Sequence, residues 1–335
     1  MGRGLILGLA MGAAAALGQP AAAKDLLGVT CSTPALAHCA DSGCTNADLA
    51  NLGNAVETRS GRTFFLDYPC DLKPGEKVTF ILSLHGGGSI GNWQRHYFPL
   101  VDLKEKYRLV IATPSGTRNA WIADQDDQYL RDVVEQVEGA VGKANIKAFW
   151  LVGHSLGGQT SNRLLTTDFF RSRLTGWASL SGGRLGSKRE DVRAVIPNAP
   201  APPTVGGGPM RLAADASILP DFAFSHIYET GEHELTAAGL PGGSKWAEKL
   251  GCQAQARPRE VVDTKAGYVQ DTRQQANPNK VWGLAARSGT AKVYAYPKCQ
   301  GGKVVADVVR IDKGHTEGLE PHVTEEIVKM MLAAK

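Results

Sequence analysis

Apolar residues fall along this chain in short dense runs, separated by longer stretches with a slower period. Lys77-Val78-Thr79-Phe80-Ile81-Leu82-Ser83-Leu84 and Ala148-Phe149-Trp150-Leu151-Val152 are rich in β-branched and aromatic residues and too short for core helices, so they read as buried strands. The same reasoning predicts strands over 62–68, 108–114, 177–181, 224–228, 293–296 and 304–311. Between them Leu130, Val133, Val134, Val137 and Val141 recur at intervals of three and four, which predicts a helix over 126–141. Helices are also predicted over 158–165 and from about Pro321 to Leu332. Short apolar strands alternating with helices imply an α/β fold: a mostly parallel central sheet with helices on both faces. Two stretches break the pattern. Residues 197–210 are dense in Pro and Gly and read as a surface loop, and residues 253–290 are polar and irregular. Loops beyond the C-terminal ends of parallel strands carry function, so both are candidates to border a site.

The N-terminus has a different character. Arg3 precedes an apolar run over 4–18 rich in Leu, Ala and Gly, and Gln19-Pro20-Ala21-Ala22-Ala23 offers small residues for cleavage after Ala23. This order is that of a secretory signal peptide, and it predicts a secreted or periplasmic protein. No later run has the length and continuity of a membrane span, so no stable membrane insertion is expected. The organisation expected is a leader over 1–23, a cysteine-containing segment over 24–60, and one α/β catalytic domain over 61–335 with insertions near 184–224 and 253–290. At 335 residues the chain exceeds an average domain, but α/β folds reach this size as one unit.

Six cysteines follow the leader: Cys31, Cys39, Cys44, Cys70, Cys252 and Cys299. An even number behind an export signal predicts disulfides. If the first four pair among themselves, in any of three ways, then Cys252 pairs with Cys299. Their spacings lack the CxxC and His pattern of a zinc site, and no metal or cofactor is expected. The net charge of +4 is too dilute for a nucleic-acid binder. Segment 253–292 concentrates seven basic residues (Arg257, Arg259, Lys265, Arg273, Lys280, Arg287, Lys292) against three acidic ones, and reads as a solvated face or an attractor of anionic substrates.

The chemistry is carried by two glycine-rich turns, each directly after an apolar strand. Gly153-His154-Ser155-Leu156-Gly157-Gly158 fits a nucleophile elbow, in which a Ser on a tight strand-to-helix turn needs small residues two positions either side. His85-Gly86-Gly87-Gly88 lies upstream, where such a fold draws one backbone N–H for an oxyanion hole; Gly87, or its neighbour Gly86, and Leu156 are the expected donors. A Ser hydroxyl needs a base to take its proton, and the chain order predicts an acid and then a His. His315 follows an apolar strand and Gly314 and is the expected base, whereas His322 reads as a surface residue. The acid is sought on the turn after strand 224–228, where Glu229, Glu232 and Glu234 compete; Glu234 is preferred, Glu232 comes next, and Asp263 and Asp307 are outsiders. Trp93 and Trp121, placed on loops after strands, are candidates to line a substrate pocket together with His85 and His154.

The chain from about 62 to 325 resembles the secreted polyhydroxybutyrate depolymerase and feruloyl esterase branch of the α/β-hydrolase superfamily. The resemblance rests on Leu84-His85-Gly86-Gly87, on Asp126-Asp127 ahead of a helix, and on Gly153 through Gly158. Trp246-Ala247 to Gly251-Cys252 and Cys299 to Gly314-His315 extend it. In that branch the acid is usually an Asp three residues after a Gly; Gly231 puts Glu234 at that position, with Glu in place of Asp. The branch also commonly bridges cysteines placed like Cys252 and Cys299. The resemblance implies an α/β-hydrolase fold and a serine hydrolase acting through an acyl-enzyme. Its expected substrate is a small or polymeric carboxylic ester of polyester or feruloyl type. The branch includes poly(aspartic acid) hydrolases, so polymer amide hydrolysis is the alternative, along with a serine peptidase on the same fold.

Overall fold

The computed structural model describes residue 1 and residues 25–31, 53–188, 204–205, 208–209, 218–269 and 280–335. The leader apart from Met1, most of the 24–60 segment, Cys39, Cys44, Arg273 and most of the Pro- and Gly-rich stretch lie outside the described residues.

Ten strands form one sheet in the order β1-β2-β4-β3-β5-β6-β9-β12-β11-β10. Their ranges are β1 Ala55–Val56, β2 Thr63–Asp67, β3 Val78–Leu84, β4 Leu109–Pro114, β5 Ile146–His154, β6 Gly176–Leu180, β9 Ser225–Gly231, β10 Arg259–Asp263, β11 Gly289–Tyr296 and β12 Val305–Arg310. The six strands from β4 to β12 across the middle run parallel. Strand β2 pairs antiparallel with β4, and β11 and β10 close the other edge antiparallel. Residues 204–205 (β7) and 208–209 (β8) form a separate two-stranded ribbon. This strand order, with a central parallel strand leading into the serine turn, is the α/β-hydrolase fold.

The central strands read as continuous apolar runs because both of their faces are covered. Phe80, Leu82 and Leu84 of β3 and Phe149 and Leu151 of β5 point to one face, where they pack with Leu130, Val133, Val134 and Val137 of helix α3 (Ala123–Val141). Ile81, Trp150 and Val152 point to the other, with Trp93 and Tyr97 of helix α1 (Gly91–Tyr97) and Val323, Ile327 and Met331 of the closing helix Pro321–Ala333. Helix α3 begins three residues earlier than its apolar period suggests. The reason is Asp126, whose carboxylate accepts the Ile122 amide at 2.6 Å and so holds the first turn.

The 253–290 stretch is not wholly irregular, since it contains β10. That strand hydrogen-bonds on one side only, so most of its positions are exposed and its pattern is polar. Two disulfides join described residues, Cys31–Cys70 and Cys252–Cys299. Among the described residues no helix is long and apolar enough to cross a membrane.

The register puts the strand ends level. Leu84 pairs with Gly153, His154 with Leu180, Leu180 with Glu229, and Gly231 with Arg310. The loops that begin at His85, Ser155, Ser181, Glu232 and Ile311 therefore leave the sheet along a single edge.

Candidate active site

Ser155 sits between β5 and helix α4 (Leu156–Leu164) with φ 51° and ψ −112°, a conformation that side chains rarely adopt. Its neighbours explain the glycines. A Cβ on Gly153 would lie 2.3 Å from the Gly157 carbonyl carbon, and one on Gly157 would lie 2.3 Å from the Leu84 carbonyl oxygen. Neither contact can be relieved by turning a side chain, because both partners are backbone. The turn is anchored by the Ser155 amide, which donates to the Leu180 carbonyl at 2.9 Å.

The Ser155 hydroxyl lies 2.9 Å from His315 Nε2, and His315 Nδ1 lies 2.6 Å from Glu234 Oε2. With Nδ1–H donating to the carboxylate, Nε2 is left as the acceptor facing the serine. Glu234 is fully buried and His315 nearly so. The residue that carries the carboxylate to His315 is thus Glu234. Glu232 turns away and accepts the Asp312 amide at 2.8 Å. Asp307 pairs with Arg184 at 2.8 Å, and Asp263 accepts the His322 amide, so neither outsider reaches His315. His322 itself is exposed.

Gly231 has a steric reason for standing three residues before Glu234. A Cβ there would lie 2.4 Å from the Lys313 carbonyl oxygen, where the acid turn meets the His315 loop. The two segments are joined by the His233 amide, which donates to Lys313 at 3.0 Å, and by His233 Nε2 at 2.5 Å from Asp312. The His315 loop is held from the other side by residues 281–282. The His315 and Thr316 amides donate to Val281 and Trp282, and the Trp282 ring meets the His315 ring edge-on at 5.3 Å.

Gly87 packs against Leu156, with the position of its missing Cβ 3.4 Å from Leu156 Cδ2. Among the described residues neither the Gly87 nor the Leu156 amide donates within the chain, whereas the Gly88 amide donates to Asn119. Gly86 passes over His154, and a Cβ there would come 2.6 Å from His154 Nδ1.

The side chains of the four residues read as candidates to line a substrate pocket are all buried. Trp93 lies on helix α1 rather than on a loop, 2% exposed, stacked on Tyr97. Trp121 is 1% exposed and donates its indole N–H to the His85 carbonyl at 2.8 Å. His85 is fully buried, and burial pushes its pKa down to about 4, so it is neutral. Its Nε2 accepts the Gly116 amide at 2.9 Å. His154 lies 2.9 Å from the His315 carbonyl through Nε2, and its ring packs tilted against those of Tyr97 and His315. Trp121 and His154 thus brace the first glycine turn, through the His85 carbonyl and beneath Gly86.

Sequence patterns did not single out Ser181, Tyr97 or Arg310. Ser181 donates to Glu234 Oε1, and Tyr97 donates to the His315 carbonyl at 3.3 Å. Arg310 pairs with Glu229 at 2.6 Å and donates to the Gly318 carbonyl at 3.3 Å. The basic excess of 253–292 is partly neutralised, since Arg259 pairs with Glu326 and Arg287 with Asp312.

No protein-family model and no curated protein matches the chain. Solved structures do. An acetyl xylan esterase from Aspergillus awamori aligns over 81% of this chain and 94% of its own, at 11% identity and a TM-score of 0.42. Thermogutta terrifontis esterase 2, phosphonylated by cyclosarin, aligns over 50% of this chain at 16% identity and a TM-score of 0.33. The match spans 65% of that esterase, just under two thirds of its length. An S-formylglutathione hydrolase from Staphylococcus aureus aligns over 37% of this chain and 52% of its own, at 15% identity and a TM-score of 0.31.

Proposed function

We propose that this chain is an exported serine hydrolase that cleaves carboxylic esters through an acyl-enzyme. The observation that carries the reading is the continuous line from Ser155 Oγ through His315 to the buried Glu234 carboxylate, at 2.9 Å and 2.6 Å, beside two undonated amides. His315 takes the Ser155 proton as Oγ attacks the ester carbonyl, and Glu234 holds the imidazolium that forms. The Gly87 and Leu156 amides receive the oxyanion, a contribution of about 3–4 kcal/mol for each donor in comparable sites. His315 then gives the proton to the leaving alcohol. In the second half a water, deprotonated by His315, attacks the acyl carbon and frees Ser155. Two disulfides and the leader-like N-terminus support export.

A fluorophosphonate probe should modify Ser155 in the folded protein and leave Ser155→Ala untouched. Absence of an adduct on Ser155 would sink the reading. Hydrolysis of short p-nitrophenyl esters should be lost in the same variant. A screen of feruloyl esters, polyhydroxybutyrate and poly(aspartate) then separates polyester, feruloyl ester and polymer amide as the substrate class.

A further inference from the structure

We propose that Ser181 is a positioning residue of the catalytic line, acting on Glu234 from the end of β6; the assignment rests on the hydrolase reading above. The Glu234 carboxylate has two oxygens with separate duties. Oε2 faces His315, and Oε1 receives the Ser181 hydroxyl, together with the Gly231 amide at 3.2 Å and the Thr230 hydroxyl at 3.4 Å. The charged groups that face this carboxylate are His315 on the base loop and, from the neighbouring strands, Glu229 with its partner Arg310.

The backbone around Ser181 is built for that contact. Ser181 leaves β6 at φ 49°, in the left-handed region, and its amide donates to the Glu229 carbonyl at 2.7 Å. This turns the side chain of the first residue past the strand toward the acid turn after the neighbouring strand β9. On the base side of the pair, the Tyr97 hydroxyl of α1 donates to the His315 carbonyl at 3.3 Å.

The physical consequence is a bias on protonation. A hydroxyl donating into the carboxylate stabilises its negative charge and makes the His315–Glu234 pair a weaker proton acceptor. The pair titrates as a unit, and its uptake of a proton sets the acid limb of reactivity. Losing the donor should raise that limb to higher pH.

Ser181→Gly is the informative variant, because glycine adopts φ 49° without strain and the fold is kept while the hydroxyl goes. Ser181→Cys keeps the shape with a weaker donor and serves as the second variant. The readout is the second-order rate of Ser155 modification by a fluorophosphonate between about pH 4 and 9. The wild type should show an acid limb. Ser181→Gly should move its midpoint up by about half to one pH unit and lower the plateau about tenfold, with Ser181→Cys between the two. A lowered plateau with an unmoved midpoint in both variants would mean that Ser181 only packs, and would overturn the proposal. Absence of any Ser155 adduct in the wild type would instead overturn the hydrolase reading, and with it the role of Ser181.

Discussion

At the scale of single residues, geometry separates the three glutamates that the sequence left in competition, since Glu229 pairs with Arg310. Glu234 meets His315 Nδ1 at 2.6 Å while Glu232 caps the Asp312 amide. Glu234→Ala should therefore lower ester hydrolysis by about 10⁴, the loss typical of removing the group that orients a triad histidine. Glu232→Ala should cost less than about tenfold, since it removes one loop contact. Equal losses in the two variants, measured with a p-nitrophenyl ester, would refute the assignment. The elbow glycines make a second prediction. Gly157→Ala places a methyl group 2.3 Å from a backbone oxygen of β3, so destabilisation of about 3 kcal/mol or failure to fold is expected in urea unfolding. A stable, active variant would mean that the close approach of the two turns is not required. Both glycine turns were legible in the sequence because steric demand leaves few alternatives to glycine. Ser181 was not, because its role depends on which strand neighbours β6, and that is a property of the sheet order. Trp93 and Trp121 are ambiguous for a related reason: an aromatic near a glycine turn can face the substrate or brace the turn, and sequence does not distinguish them.

At the scale of elements, the strands with two covered faces were readable from apolar density, and those with one exposed face were not. β3 and β5 are buried along nearly all of their length, whereas β10 is an edge strand with Arg259, Glu260 and Val262 exposed. Helix α1 escaped because its seven residues include Gly91, Asn92, Arg95 and His96, and its period shows only in Trp93 and Tyr97. The Cys252–Cys299 bridge shows how a polar stretch is fixed without a core of its own. Cys252 follows the short helix Lys245–Lys249, and Cys299 follows β11, so the bridge ties the entrance of the 253–290 stretch to the sheet. It closes a loop with a sequence separation of 47, for which chain entropy gives about 4 kcal/mol. The double variant Cys252→Ser with Cys299→Ser should lose a large part of that in equilibrium unfolding and lower Tm by several degrees. An unchanged Tm would show that hydrogen bonds such as Gln253 to Pro297 hold the stretch by themselves.

At the scale of the whole molecule, a buried ionic network joins the sheet to the His315 loop and the closing helix. Glu229 of β9 pairs with Arg310 of β12 at 2.6 Å, and Lys313 pairs with Glu320 at 2.7 Å, where the closing helix begins. Gly314 donates to Glu317 at 2.6 Å within the same loop. All these side chains are almost fully buried, and such pairs cost desolvation that their mutual attraction only partly returns. Glu229 shows the cost: burial, with Glu234 and Glu320 nearby, pushes its pKa up from 4.5 to about 7 despite Arg310. The sign of the stability effect follows. Between those two values the folded protein holds a proton on Glu229 that the unfolded chain has released. Stability then decreases as pH rises, because the native state binds more protons. The contribution is fully present below pH 4.5 and is lost as pH passes through about 7. Glu229→Gln keeps an acceptor for Arg310 and removes the proton exchange. Its urea midpoint, followed from about pH 5 to 8, should fall less steeply than that of the wild type. Parallel curves would show that Arg310 keeps Glu229 ionised throughout. A flattened curve would show that Glu229 takes up a proton on folding, the consequence of burying a carboxylate beside Arg310 on the strand that ends four residues before the loop glycine, Gly314.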